Sequence, residues 1–202
     1  EYDEVAEAQR VETDEAERQA LIKRSQQIIA EDQPYMLLVH PVQVFAFDKT
    51  VWDPASMVEQ PGLGIKNFWS YVGASPVGEQ TDLILNSSDE LNAINPLYIS
   101  GATDSWITEL IWDRMMRIGP DGLPQPWAAE SYEWIDDTTI ELTLREGMTW
   151  HDGEPVTIED VIFSFEAPAM GDEAPMYAPF VSNIASMEPV GERSVRMTLN
   201  EP

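Results

Sequence analysis

Leu21, Ile22, Ser25, Ile28 and Ile29 fall on one face of a helical period, so an amphipathic helix is expected early in the chain. Thr13 is placed to cap its first amides, and Asp14 and Glu15 suit the positive end of its dipole. Pro34 ends the helix near Glu31. The two runs that follow, YMLLVH and VQVFAF on either side of Pro41, are rich in β-branched and aromatic residues and predict two strands. From Lys49 to about Gln80 the periodicity fails among Pro54, Pro61, Gly62, Gly64, Gly73, Pro76 and Gly78. That stretch reads as a loop or linker, with one short strand in GLGIKNFWSYV.

DLILNSS predicts a further strand and NPLYISGAT a loop. Thr103 or Asp104 then opens a helix carrying Trp106, Ile107, Leu110, Ile111 and Met115, stopped by Gly119-Pro120-Asp121-Gly122. In ESYEWIDDTTIELTLREG, Tyr132 and Trp134 precede a turn at Asp136-Asp137, and Ile140, Leu142 and Leu144 alternate after it. This is a β-hairpin with one buried face. WHDGEPVTIEDVIFSFE follows directly. Asp152 and Gly153 make its tight turn, Thr157 and Asp160 have the spacing of a helix cap, and Val161, Ile162 and Phe165 are the face that packs on the hairpin. Two more strands close the pattern, the second with Val195, Met197 and Leu199 alternating. Helices and strands mixed in this order give an α/β or α+β fold class.

Composition narrows the partners. The 202 residues carry 37 Asp plus Glu against 11 Lys plus Arg, a formal net charge of −26, so a phosphate backbone is repelled and no nucleic acid is expected. Such a surface suits a salty medium or attracts cationic ligands; the first is the commoner case. With no cysteine there is neither a disulfide framework nor a thiolate nucleophile. No apolar run reaches the roughly 18 to 20 residues of a membrane span. The start, EYDEVAEAQ, lacks the parts of a signal peptide, as a processed or excised sequence would.

The long phrase LIWDRMMRIGPDGLPQPWAAESYEWIDDTTIELTLREGMTWHDGEPVTIEDVIFSFE gives residues 82–202 a resemblance to family 5 solute-binding proteins, the peptide and nickel receptors of ABC importers. It resembles their N-terminal part. Residues 12 to about 70, through Glu12-Thr13-Asp14, Arg18, Leu21, Gln26-Gln27-Ile28 and Glu31-Asp32-Gln33-Pro34, resemble the C-terminal end of the same family. Tail therefore precedes head, and the family's long middle is missing. A fragment spanning the junction of two tandem units, a circular permutation joined near Tyr71 to Gln80, and an inserted domain each account for this order; a truncated excerpt is favoured. The resemblance implies segments 1–75 and 76–202 packed as one unit, an incomplete lobe of the type II periplasmic-binding-protein kind.

It also implies a site. Asn95 to Ser100 align with the family segment that lines the cleft, so Tyr98, Ile99 and Ser100 are the expected ligand contacts, pairing by backbone with an extended peptide. Trp150 either walls that cleft or plugs the core. Asp152 is read as a turn residue and not as the acid–base partner of His151, because no GxSxG or HExxH spacing supplies the rest of a catalytic set. His40 is the only other histidine, and two isolated histidines do not make a metal site. Seven tryptophans invite a glycan reading, but Trp106, Trp112 and Trp134 lie at or near apolar-face positions, where core packing is the simpler account. The resemblance thus implies a cofactor-free, non-catalytic receptor that takes a peptide or similar small molecule to an ABC permease, in the periplasm or outside the cell. Two other readings remain open: a receptor-derived protein-interaction module, and a carboxylate-based glycan enzyme.

Overall fold

The computed structural model describes residues 1–36, 38, 39, 42, 44–87, 90, 91, 94–99, 101–170 and 177–202. Helix α1 (Tyr2–Val11) packs beside α2 (Glu15–Asp32). The cap of α2 is Asp14 and not Thr13: its Oδ1 accepts from the amides of Ala16 and Glu17, each at 3.0 Å. A carboxylate directly before the first helical residue reaches both orphan donors, so the helix starts one position later than expected. Gln33 ends it in the left-handed region, at φ 45°, with its amide on the Ile29 carbonyl, just before Pro34 forbids continuation.

The two strands expected between residues 35 and 47 are not present among the described residues. Tyr35, Met36, Leu38, Val39, Val42 and Val44 are 78–88 % exposed. Strand propensity is realised only where a neighbouring strand takes up the backbone groups, and these residues have no such ladder. DLILNSS fails in the same way over its described residues, Asp82 to Ser87, with Ile84 almost bare.

The supposed linker is ordered instead. Val77 donates to Val51 and Asp53 to Ser75, closing a loop around a 3-10 turn at Pro54–Ser56. Its expected strand is a helix, α3 (Phe68–Gly73), because Asn67 caps it by accepting from the Ser70 amide at 3.1 Å. Local capping here outweighs the β-preference of the aromatics. The Asn67 amide nitrogen also donates to Val58 and Gly64 carbonyls at 2.7 and 2.6 Å, so one buried side chain ties three pieces of the loop. Gly64 sits at φ 60°, and a Cβ there would collide with the Phe45 ring. Both the backbone and the contact demand glycine.

Helix α4 (Ala102–Thr108) is shorter than predicted. Met115 lies outside it, and Met116–Ile118 form β1, which turns at Gly119–Gly122 to pair with β2 (Pro124–Pro126). The turn was foreseen, but as a helix stop; pairing across it claims the preceding residues as strand. The hairpin β3 (Ala129–Asp136) and β4 (Thr139–Leu144) then extends into an antiparallel sheet with β5 (Ile184–Val190) and β6 (Ser194–Leu199), in the order β3-β4-β6-β5. Helix α5 (Ile158–Glu166) covers one face, and a short α6 (Ala178–Val181) precedes β5.

The core sits between α5 and the sheet: Leu142, Leu144, Ile158, Val161 and Val195, with Ile162 and Phe165 packed against them. The alternation of Leu142 and Leu144 and of Val195 and Met197 is therefore as the pattern predicts. Tyr132 and Trp134, although opposite Leu142 and Ile140, are 43 % and 52 % exposed. They stand on the edge strand, beyond the part of the sheet that α5 covers.

The Thr157–Asp160 pair forms a reciprocal capping box: Thr157 Oγ1 accepts from the Asp160 amide and Asp160 Oδ2 accepts from the Thr157 amide at 2.9 Å. The Thr157 amide, above all, holds the Asp160 carboxyl below the ordinary carboxylate range. Folding thus lowers proton affinity, so the box stabilises fully at neutral pH and is lost as pH falls through that depressed value. Thr157→Ala is expected to cost about 1 kcal/mol in urea unfolding at pH 7, with the difference shrinking on acidification.

Candidate functional site

Apolar residues from at least five separate stretches converge on an open groove of about 590 Å³. Its floor comes from the core edge, through Met115, Ala128, Leu144, Met148 and Val156. Helix α5 supplies one wall with Asp160, Val161, Phe163 and Ser164, and the turn at Thr149–His151 closes one end. The opposite wall is Ile94 to Leu97, with Ile111 and Trp112.

Each wall has a local cause. Asn95 accepts from the Leu97 amide at 3.0 Å, which starts the single 3-10 turn Pro96–Tyr98. Trp112 Nε1 donates to the Ile94 carbonyl at 3.2 Å and so pins this segment over the groove. At the far end Asp152 Oδ1 accepts from the Glu154 amide at 3.1 Å, Gly153 takes φ 92°, and Trp150 and Glu154 pair across the turn. Asp152 and Gly153 hold the turn, as expected of them. The turn presents Trp150, 37 % exposed, whose Nε1 lies 3.4 Å from Asp160 Oδ2. Trp150 therefore walls the groove and does not plug the core.

The structure divides the other expected contacts. Tyr98 and Ile99 adjoin the wall but do not line the groove, and Ile99 is buried. Ser100, like His40, lies outside the described residues. The segment lines the groove through residues 94–97, so Asn95 to Leu97 of the stretch singled out by the resemblance reach it. Trp112 and Phe163 also belong to the groove and were missed as site residues. Phe163 had a signal, being the apolar residue of α5 off its core face. Among the described residues the groove's lining contains two carboxylates, Asp113 and Asp160, one histidine, His151, and neither Lys nor Arg.

The tryptophans separate by role. Trp69 and Trp127 meet each other and Phe68 edge-on at 5.2–5.5 Å, with the Arg117 guanidinium 3.6 Å from the Phe68 ring centre. Trp106 carries Lys66 at 4.1 Å. Trp112 and Trp134, expected to be in the core, are 42 % and 52 % exposed; the first borders the groove and the second the open sheet edge. Among the described residues no group of three or more His, Asp or Glu is placed to hold a metal. No described helix is long and apolar enough to cross a membrane.

Comparison with known proteins follows the sheet and α5. Residues 124–202 match the family described as bacterial extracellular solute-binding proteins, family 5 Middle. The probable peptide-binding protein YejA of Agrobacterium fabrum is 32 % identical over 122 residues, which are 59 % of this chain and 19 % of that protein. NikZ of Campylobacter jejuni, solved in complex with Ni(L-His), is 30 % identical with a TM-score of 0.50, over 56 % of this chain and 23 % of its own. OppA of Listeria monocytogenes, solved bound to peptide, has a TM-score of 0.53 at 19 % identity, over 57 % of this chain and 26 % of its own, a likeness of fold alone. The mixed helix-and-sheet architecture is thus that of periplasmic binding proteins.

Proposed function

From the match of residues 124–202 to the family 5 solute-binding proteins, we propose that the protein captures a peptide or similar small solute and delivers it to an ABC permease. The observation that carries this reading is the groove walled by residues 94–97 and Trp150. Ligand pockets are mostly apolar clefts of this size with a few placed polar groups. Capture works by closure of two lobes about a hinge. Ligand shifts an open–closed equilibrium, and the permease reads the closed form. The role is non-catalytic and lies in the periplasm or outside the cell. Segments 1–75 and 76–202 act in it as one packed unit, and Tyr98, Ile99 and Ser100 offer their backbone to the ligand.

Native mass spectrometry of the protein from its source organism tests the reading. The expected spectrum contains a retained peptide or small solute. A ligand-free spectrum, together with no heat of binding across a peptide panel, sinks it. The 202 residues alone supply one lobe at most, so their affinity for peptides is expected to be weaker than micromolar; submicromolar binding overturns that part.

A second reading, a receptor-derived interaction module, is favoured by one observation: Tyr132, Trp134 and Ile135 are all exposed on the edge strand β3. Retention of a partner protein in place of a small solute supports this alternative.

A further inference from the structure

We propose that the groove beside α5 selects an organic cation with an apolar body, an ammonium or guanidinium carried on an aliphatic or aromatic group. This rests on the solute-binding reading above and names the class of ligand, or of ligand end, that the groove takes.

Shape and charge both argue for it. About 590 Å³ of open space lies over Met115, Leu144 and Met148, so water placed there is exchanged for apolar contact when a hydrocarbon body enters. Two indoles, Trp112 and Trp150, border this space. Indole is the best of the aromatic faces for a cation. Among the described residues the lining carries the carboxylates Asp113 and Asp160 beside His151, with no Lys or Arg.

The two carboxylates differ. Asp113 is partly spent, since its Oδ1 accepts from Trp127 Nε1 at 2.7 Å and lies 3.6 Å from Arg117. Asp160 has no Lys or Arg partner among the described salt bridges. Its Oδ2 takes neutral donors from Thr157 and Trp150, which fix its position and keep it ionised. It is therefore an ionised group at the groove whose charge a ligand is left to balance. A net charge of −26 on the whole chain adds a field that draws cations in and turns anions away.

The test compares three probes of one shape, 4-phenylbutylammonium, 4-phenylbutanol and 4-phenylbutyrate, titrated into the chain labelled with 13C at its methionine methyls. Met115 and Met148 line the groove, whereas Met197 is buried in the sheet and reports that the fold is intact. The expected result is movement of the Met115 and Met148 signals with Met197 still. The ammonium should bind roughly tenfold more tightly than the alcohol, and the carboxylate more weakly than either. Asp160→Asn, which keeps a capping oxygen, is expected to remove most of the ammonium's advantage over the alcohol. Equal affinity for ammonium and carboxylate, or no movement of either groove methionine, overturns the proposal. Failure here leaves the solute-binding reading standing if the source protein retains a solute of another charge; a ligand-free source protein fails that reading separately.

Discussion

Leu142→Ala lowers the unfolding free energy by about 2–5 kcal/mol, the range for a buried leucine replaced by alanine in a core that cannot collapse around the loss. Leu142 is 5 % exposed and belongs to the cluster formed with Leu144, Ile158, Val161 and Val195. Its strand is flanked on both sides, by β3 and β6, so the backbone is not free to close the cavity. Urea unfolding followed by circular dichroism gives the number. Tyr132→Ala, opposite Leu142 but on the exposed edge, is the control and should cost much less. Equal losses at the two positions would mean that α5 does not organise the sheet's stability.

Arg117→Ala acts elsewhere. Its side chain, 4 % exposed, stacks on Phe68, donates to the Glu109 carbonyl at 2.9 Å, and lies 3.6 Å from Asp113. Burial pushes its guanidinium pKa down, with Glu109 and Asp113 opposing the shift. The same region is tied by Gln60 to the Gly119 carbonyl and by Trp69 to the Ile118 carbonyl. Removing the guanidinium takes away a desolvated cation–π contact of about 2 kcal/mol and leaves the Glu109 carbonyl short of a donor. Hydrogen exchange is expected to quicken in residues 57–73 while β4 and β6 stay protected. Arg117→Lys does not restore protection, because an ammonium cannot reproduce the planar stack. Unchanged exchange in 57–73 would show that Gln60, Trp69 and the Asn67 bonds hold this segment without the guanidinium.

Legibility along the chain followed the range of the interactions. The Thr157–Asp160 box, the Asp152–Gly153 turn and the alternation in β4 and β6 depend on neighbours within a few residues, and each was read correctly. Helix α3 carried an equally local signal in Asn67, but the aromatics after it suggested a strand. The apolar runs at 35–47 had strand composition, yet composition cannot supply the ladder partner that a strand requires. Trp112 and Trp134 looked like core residues for a related reason: periodicity finds an apolar face and is silent on whether anything covers it.

The sequence by itself determined the mixed helix-and-sheet class, the acidic and cysteine-free surface, the hairpin with its capped helix, and the resemblance later met in residues 124–202. Local capping, side-chain alternation and a specific motif order are sufficient for these. Only the tertiary structure decided that Ile94–Leu97, Trp112, Trp150 and Phe163 share one groove, because separated stretches of chain meet there. It also decided that Tyr132 and Trp134 lie at an uncovered edge, since burial depends on what packs opposite a face and not on the face alone.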